Sequence, residues 1–243
     1  MVRLTVLGSC GAWPEPGRAC SGFLVRHEDF RLVLDLGYGT VSRLLEHCPD
    51  GAVDAVVITH AHPDHCADLT ALGRIHHYEG HGKLPLYSPP DVLDVVRAAE
   101  PEPAPEQVYD HHDLAATTSV GPFTVRTWRL PHHVPNWGVR LSLPGVTVAY
   151  TGDSGPSADL AELGADADLY IMESTLQGPS PENRPRYVET AAEAATWAAR
   201  ARAKRLLLTH FWPGSDRKRS AAEAAEVFDG EILLAEEGLT VTV

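Results

Sequence analysis

With 243 residues, 44% of them apolar, the chain is long enough to bury one large hydrophobic core, and we expect residues 1–243 to form a single domain. Acidic residues outnumber basic ones by 33 to 20, and the net charge of −13 repels polyanions, which argues against nucleic acid as a partner. No apolar run reaches the roughly 18 to 20 residues that a membrane helix needs, and no secretory signal is visible. We therefore expect a cytoplasmic protein with no membrane partner.

The first half of the chain reads as short strands with helices between them. Hydrophobic patterning predicts strands at residues 3–7, 22–26, 31–34 and 54–58, a helix at 40–47, and a second helix from about residue 68 to the pair His76-His77. Residues 80–118 are the least regular part, because six prolines interrupt them and leave one helix, at residues 91–100. We expect this segment to pass over the functional site.

The second half repeats the alternation of strands and helices. The pattern predicts strands at residues 123–130, 138–143, 147–150, 169–172, 205–208, 232–234 and 239–243, and helices near 158–163, at 188–203 and at 220–228. The two halves also echo each other, since AVVITH ends at His60 and RLLLTH ends at His210. Apolar strands with helices between them predict an α/β fold, a four-layer αββα sandwich with the sheets at its centre.

Four residues in the segment THAHPDHCADL carry the strongest chemical signal: His60, His62, Asp64 and His65. Pro63 interrupts them, so they do not form one face of a helix, and we predict a tight loop that turns them toward a common point. Imidazole nitrogen and carboxylate oxygen are ligands that suit Zn²⁺. The alternation of His60 and His62 lets both reach one ion, while Asp64 and His65 reach a neighbouring ion.

Several segments, taken in order, resemble the metallo-β-lactamase fold superfamily and, within it, the RNase Z-like branch of binuclear hydrolases. They are LGSCGAWPEPGRACSGFLV, LVLDLGYG, THAHPDHCADL, PHHVPNWGVRL, YTGDSG and LLLTH, and together they extend over nearly the whole chain. The HxHxDH cluster is highly specific. The other segments are weak singly, but their order makes them strong together.

The resemblance implies a centre that holds two Zn²⁺ ions, although manganese and iron accept the same ligands. It places His60, His62 and His132 on one ion, Asp64, His65 and His210 on the other, and Asp153 as the bridge between them. His132 is preferred to His133, because relatives usually have His followed by Pro-Val-Pro and His133 then occupies the first proline position. Asp64 is also expected to act as a general acid or base. Asp35 is expected to orient a ligand and not to bind metal itself.

Two differences from known branches of the superfamily argue against two of its functions, antibiotic hydrolysis and tRNA processing. An Asp at the bridging position argues against antibiotic-type β-lactamases, which place a Cys in the shell of the second metal. Where tRNA-processing relatives have His-Glu-Ala-Thr, this chain has Met172-Glu173-Ser174-Thr175, so the expected catalytic His is missing. This substitution and the charge of −13 argue against tRNA processing.

We therefore predict a binuclear zinc-dependent hydrolase, a phosphodiesterase that cleaves a small or cyclic phosphodiester through a metal-bridging hydroxide. A carboxylic ester, thioester or lactone hydrolase, an RNase Z-like ribonuclease, and a non-catalytic metal-binding regulator remain as alternatives. The expected partner is a small-molecule ester or phosphodiester substrate, and a homodimer is an expectation from the family resemblance.

Outside the ligand set the sequence is less informative. Cys10, Cys20 and Cys48 are expected in the core, because no CxxC pair is present and a free cysteine behaves as a small apolar residue. Arg18 and Trp212 are speculative pocket residues. The run from Arg217 to Arg219 reads as a solvated basic patch at the start of a helix.

Overall fold

A computed structural model describes residues 1–180 and 185–243, and its centre is a pair of mixed β-sheets. In spatial order the first sheet contains β14 (Thr240–Thr242), β1 (Val2–Gly8), β2 (Gly22–His27), β3 (Phe30–Leu36), β4 (Ala55–Val57), β5 (Leu84–Ser88) and β6 (Tyr109–Asp113). The second contains β13 (Glu231–Leu234), β12 (Arg205–Thr209), β11 (Leu169–Glu173), β10 (Val146–Tyr150), β9 (Asn136–Leu143), β8 (Phe123–Leu130) and β7 (Ser119–Val120).

Helices cover the outer face of each sheet. They are α1 (Thr40–His47), α2 (Pro63–Cys66), α3 (Leu69–Glu79), α4 (Asp91–Ala99), α5 (Pro105–Val108), α6 (Asp159–Leu163), α7 (Ala191–Arg200) and α8 (Arg217–Ala225). Leu44 of α1 and Leu72 of α3 share a buried apolar cluster with Val56 of β4. On the second sheet, α7 packs against β11 and β12 through alanines such as Ala194. The fold is thus the predicted α/β sandwich of four layers, αββα.

The main hydrophobic core lies between the two sheets. Alternate side chains of a strand point to opposite faces, so the inward side chains of both sheets meet in one layer. Phe23 of β2 and Tyr150 of β10 are both buried, and their ring centroids lie 5.2 Å apart in an edge-to-face contact across this layer. This contact holds the carboxyl end of β10, where Tyr150 is the last residue, against the first sheet.

Strand direction brings the chemically important segments to one edge of the sandwich. In the first sheet β3 to β6 run parallel, and in the second sheet β10 to β13 do so. The carboxyl ends of parallel strands lie at the same edge of a sheet, which is where ligand sites of α/β folds form. His60 follows β4, Asp153 follows β10 and His210 follows β12 directly.

The prediction for residues 80–118 was right about one helix, α4, and wrong about the rest of the segment. This segment contributes β5 and β6, which extend the edge of the first sheet, so it does not simply pass over the site as an irregular excursion. Pro85 lies inside β5, and the polar run Tyr109–Asp113 forms the edge strand β6. Pro85 interrupts the strand pattern of β5, which lies between β4 and β6. β6 lacks the apolar pattern of a central strand because an edge strand exposes many of its side chains.

Two helix starts also differ from the prediction, and each has a local cause. Helix α7 begins at Ala191 and not at residue 188, because Thr190 and Glu193 form a capping box there. Helix α8 begins at Arg217, because the Asp216 side chain accepts hydrogen bonds from the backbone N–H groups of the first turn.

The basic patch was predicted wrongly in one residue. Arg217 is buried, and its guanidinium donates to Ser9 Oγ and to the carbonyl of Ala235, each at 2.8 Å. Cys10, Cys20 and Cys48 are buried as predicted, and Cys66 is buried as well. Among the described residues, no helix has both the length and the apolar character that crossing a membrane requires.

Candidate metal centre

The HxHxDH cluster starts in a loop and ends in a helix. His60 lies in the segment after β4, His62 is the residue that precedes α2, and Pro63 opens α2. Asp64 and His65 therefore lie in a single helical turn, not in the tight loop that the proline suggested. Proline suits this first helical position because the N–H group that it lacks would have no partner there in any case.

Three further residues reach the same point from the second half of the chain. His132 follows β8, Asp153 follows β10 and His210 follows β12. His210 adopts a left-handed backbone conformation, with φ of 55°. The ring lies so close to Gly11 that a Cβ on that glycine would be 2.6 Å from His210 Cε1, so only glycine fits.

One set of possible metal ligands contains His60, His62, His132 and Asp153. His62 Nδ1 lies 3.2 Å from His60 Nε2 and 3.0 Å from His132 Nε2. Asp153 Oδ2 lies 3.9 Å from His60 Nε2 and 3.7 Å from His132 Nε2. Three imidazole nitrogens and one carboxylate oxygen thus face a common point, which is a donor set typical of zinc.

The second set contains Asp64, His65, His210 and, again, Asp153. Asp153 Oδ1 lies 3.2 Å from the Nε2 atom of His65 and 3.2 Å from that of His210. Asp64 Oδ2 lies 3.2 Å from His210 Nε2 and 3.7 Å from His65 Nε2. The two oxygens of Asp153 therefore face different sets, as in a carboxylate that bridges two ions. The structure brings together all seven residues that the sequence suggested as ligands.

Hydrogen bonds at Nδ1 fix the imidazole rings of two candidate ligands, His60 and His65. His65 Nδ1–H donates to Asp35 Oδ2 at 2.8 Å. His60 Nδ1 lies 3.0 Å from Thr59 Oγ1, and because that hydroxyl itself donates to Asp35, the imidazole N–H is the donor here. In its neutral form each ring therefore presents an unprotonated Nε2 toward the centre, which is the atom that a metal binds.

The same arrangement orients the ligands from the second half. His132 Nδ1–H donates to the carbonyl of Tyr187 at 2.8 Å. His210 Nδ1 lies 2.8 Å from Thr175 Oγ1, whose hydroxyl donates to Glu173 Oε2, so His210 is the donor to Thr175. These supports were missed by sequence analysis. A backbone carbonyl such as that of Tyr187 leaves no signal in the sequence, whereas Glu173 and Thr175 stood in a segment considered only for its missing His.

Asp35 ties the two halves of the centre together, which is the orienting role expected from the sequence. It is fully buried, has a left-handed φ of 56°, and accepts hydrogen bonds from His65, from Thr59 and from the Tyr150 hydroxyl at 2.8 Å. A buried carboxylate is stabilised when several donors surround it, and strained backbone persists only where neighbours enforce it. Asp35 therefore orients His65 from outside the ligand set.

The electrostatics of the two sets differ. Burial lowers the pKa of His132 to about 4 and holds the pKa of His60 well below its ordinary value. Burial acts in the same direction on His65, but the charges of Asp153, Asp64 and Asp35 outweigh it, and the pKa of His65 lies well above its ordinary value. The first set thus favours neutral imidazoles, and the second attracts positive charge.

Two buried atoms of the second set lack partners among the described residues. His65 Nε2 and Asp153 Oδ1 make no hydrogen bond, although each belongs to a fully or almost fully buried side chain. Such atoms cost free energy unless a ligand satisfies them. A divalent cation would satisfy both at once, so the residues fit the metal that the donor set suggests.

Comparison with known proteins agrees with this geometry. Residues 31–211 match the family described as beta-lactamase superfamily domain. An uncharacterized protein of Mycobacterium tuberculosis strain H37Rv is 33% identical over 243 residues, which cover 95% of this chain and 88% of that protein. "Probable metallo-hydrolase YhfI" of Bacillus subtilis is 29% identical over 242 residues, 98% of each chain.

Solved structures show the same likeness. The crystal structure of YhfI matches with a TM-score of 0.90 and 27% identity, over 99% of this chain and 98% of that one. The short form of human tRNase Z matches with a TM-score of 0.80 and 26% identity, over 99% of each chain. The resemblance to the RNase Z-like branch is thereby confirmed. The chain belongs to the beta-lactamase superfamily and is a metallo-hydrolase with the metallo-β-lactamase fold.

Proposed function

We propose that this protein is a binuclear zinc-dependent phosphodiesterase that acts on a small or cyclic phosphodiester. The observation that carries the proposal is the position of Asp153, whose Oδ1 faces His65 and His210 while Oδ2 faces His60 and His132. Two cations bound there would polarise a phosphoryl oxygen and lower the pKa of a water molecule toward neutrality. Metal binding, the number of ions and the substrate are the points that experiment must test.

The protein residues contribute positioning and proton transfer. Asp64 Oδ2 accepts a hydrogen bond from the backbone N–H of Ala12 at 2.7 Å, which fixes the carboxylate beside His210. Its side chain is 10% exposed, more than those of Asp153 or His65, so it borders the entrance of the centre. A carboxylate at this position can accept the proton of the attacking water, which is the general base role assigned to Asp64.

We propose that His133 protonates the leaving oxygen. It is exposed, and its ring centroid lies 6.4 Å from that of His62 and 3.9 Å from that of Tyr187. Met172, which occupies the position of the catalytic His in tRNA-processing relatives, is buried in β11 and has no proton to give. His133 lies in the segment that follows β8, near His62 of the first ligand set, and from there it would supply the proton that Met172 cannot give.

A phosphodiester is favoured over other esters by the branch of the family. Human tRNase Z, by its name, cleaves tRNA, whose nucleotides are joined by phosphodiesters. The charge of −13 opposes a long polyanion, so we propose a small substrate in place of tRNA.

A carboxylic ester, thioester or lactone hydrolase is the second candidate. A cavity of about 350 Å³ lies beside α2, and its lining includes Tyr38, Cys66, Val95 and Val96. Such an apolar cavity next to the helix that carries Asp64 would accommodate an acyl chain.

The zinc-loaded protein should be assayed on bis(p-nitrophenyl) phosphate, cyclic nucleotides, and p-nitrophenyl and thioester acyl substrates. We expect turnover of phosphodiesters that is lost in Asp153→Asn and His210→Ala, and retained in the matched surface variants Asp110→Asn and His77→Ala. Faster turnover of the acyl substrates through the same ligands would favour the second candidate. Full zinc occupancy without any turnover would instead support a non-catalytic metal-binding regulator.

A further inference from the structure

Exposed aromatic side chains gather around the metal centre. Trp13 is 48% exposed, Trp212 is 46% exposed and Tyr38 is 40% exposed. Each lies within two residues of a metal-ligand candidate or of a residue that contacts one, since Ala12 donates to Asp64, Gly37 packs against the Asp64 backbone and His210 is itself a candidate. A single exposed aromatic ring is common on protein surfaces, but exposed aromatic rings that lie together form an apolar patch, and such patches mark binding sites.

Trp13 and Trp212 form a contacting pair. Their ring centroids lie 4.9 Å apart, and the ring planes meet at 76°. In this edge-to-face arrangement each ring is supported by the other, and faces of both remain accessible to a third ring. The pair is close in sequence to the second ligand set, because Trp13 follows Ala12, whose N–H donates to Asp64, and Trp212 comes two residues after His210.

Backbone hydrogen bonds hold the two loops of this pair together. Gly11 N donates to Phe211 O at 2.9 Å, and Phe211 N donates to Ser9 O at 3.0 Å. Farther out, Gly214 N donates to Glu15 Oε1 at 2.8 Å. The backbones of the two loops that carry the tryptophans are therefore connected on both sides of the pair, which favours a site formed before any ligand arrives.

Strained backbone conformations occur in the same two loops. Ala12, directly before Trp13, has φ of 61°, and His210, two residues before Trp212, has φ of 55°. L-residues rarely adopt this left-handed conformation, and it persists where surrounding contacts enforce it, which is common at binding sites. Both loops contact the candidate metal ligands directly before their tryptophans, since Ala12 N donates to Asp64 and His210 is itself a candidate ligand.

We propose that Trp13 and Trp212 form a stacking site for the nucleobase of the substrate, so that the phosphodiester bound at the metal centre belongs to a single nucleoside. This inference rests on the proposed function for the position of the phosphate. Base stacking on aromatic side chains tolerates any base, since every base has a π-face. The net charge of −13 repels longer nucleic acid. We therefore expect a single nucleoside, whose base would stack on the tryptophan pair while its phosphate binds at the metal centre.

The test is a comparison of two phosphate monoesters that differ in the base. Adenosine 5′-monophosphate and ribose 5-phosphate are titrated into the zinc-loaded protein by isothermal titration calorimetry. We expect the nucleotide to bind about tenfold more tightly or better, as the stacking of one base predicts. Trp13→Ala and Trp212→Ala should abolish this preference, while Trp212→Phe should retain most of it because it keeps a π-face.

Tyr78→Ala is the matched control, because Tyr78 is 66% exposed on α3 and its removal should leave the preference unchanged. Equal binding of the two monoesters to the wild-type protein would overturn the proposal, and so would a preference that survives both Trp→Ala substitutions. The binding of the two monoesters is measured without any hydrolysis. A failure of the stacking site is therefore distinguishable from a failure of the proposed phosphodiesterase, which would appear as absent hydrolysis of bis(p-nitrophenyl) phosphate.

Discussion

Asp153 Oδ1 and His65 Nε2 lie 3.2 Å apart and hydrogen bond neither to each other nor to any other described residue. Asp153 comes from the end of a strand in the second sheet, and His65 from the short helix α2 beside the first. Two buried acceptor atoms that lie this close, with no donor between them, require a shared third partner that is positively charged. The two halves of the fold therefore meet at Asp153 and His65, in one candidate metal centre.

Asp35→Asn should weaken zinc binding by about 10- to 100-fold, the usual effect of losing the partner of a metal-binding histidine. The carboxylate accepts from His65 Nδ1 at 2.8 Å, and an amide in its place would no longer provide a charged acceptor. Competition titration with a chromophoric zinc chelator measures the effect. Asp94→Asn is the control, because Asp94 is 79% exposed on α4. Unchanged affinity in Asp35→Asn would show that His65 needs no such support.

Thr175→Val should weaken zinc binding in the second set, whereas Thr175→Ser should not. The hydroxyl links Glu173 to His210 Nδ1, at 2.7 and 2.8 Å respectively, and valine keeps the shape of threonine without this link. We expect a loss of about tenfold or more in affinity for the more weakly bound ion. Equal affinities for the Val and Ser variants would mean that His210 is held by packing alone.

His133→Ala should slow substrates according to their leaving group. Loss of a general acid reduces kcat by about 10²- to 10⁴-fold when the leaving oxygen is a poor one, as in a cyclic nucleotide. Hydrolysis of bis(p-nitrophenyl) phosphate should change little, since p-nitrophenolate leaves without a proton. His77→Ala, at another exposed position, should affect neither substrate. Equal slowing of both substrates by His133→Ala would indicate a positioning role and not proton donation.

His132 should make the stability of the metal-free protein fall as the pH falls through the range in which unfolded histidine titrates. Burial lowers the pKa of His132 to about 4, whereas an unfolded histidine titrates near 6.5. Between these values the unfolded chain binds a proton that folded His132 does not. The contribution of His132 to the free energy of unfolding therefore rises with pH across this range and falls as acid is added.

Urea unfolding of chelator-treated protein at several pH values in this range measures the effect. His132→Asn should show a smaller dependence on pH than the wild type. The comparison isolates His132 from His65 and His210, whose raised pKa values make contributions of the opposite sign, lost as the pH rises. Identical slopes in the two proteins would contradict the prediction.

The layers of the fold and the ligand candidates of the HxHxDH cluster could be predicted from the sequence, because strand patterns and histidine spacing leave a local signal. The candidates His132, Asp153 and His210 came from the resemblance to the RNase Z-like branch. The His-Pro-Val-Pro pattern of relatives favoured His132 over His133, and of these two only His132 joins the first set, with Nε2 3.0 Å from His62 Nδ1. The structure brings these residues together, while metal binding by them stays a prediction. Strands β5 and β6 were missed, since an internal proline and polar edge residues hide the strand pattern.

Features that depend on contacts between segments far apart in the chain could not be predicted from the sequence. The N–H of Ala12 that supports Asp64 and the carbonyl of Tyr187 that supports His132 are backbone groups, which any residue provides. The burial of Arg217 follows from Ser9 and Ala235, which are remote in sequence. The Trp13–Trp212 pair spans two loops about two hundred positions apart, and a single sequence gives no sign of that contact.

The central claim is that Asp153 joins two metal sites, and metal content tests it most directly. Wild type and Asp153→Asn are saturated with zinc, dialysed and analysed by inductively coupled plasma mass spectrometry, with Asp110→Asn as the surface control. We predict about two zinc ions per chain in the wild type and in the control, as binuclear catalysis requires, and about one or fewer in Asp153→Asn. A wild-type protein that retains one ion or none, or an Asp153→Asn protein that retains two, would contradict the claim.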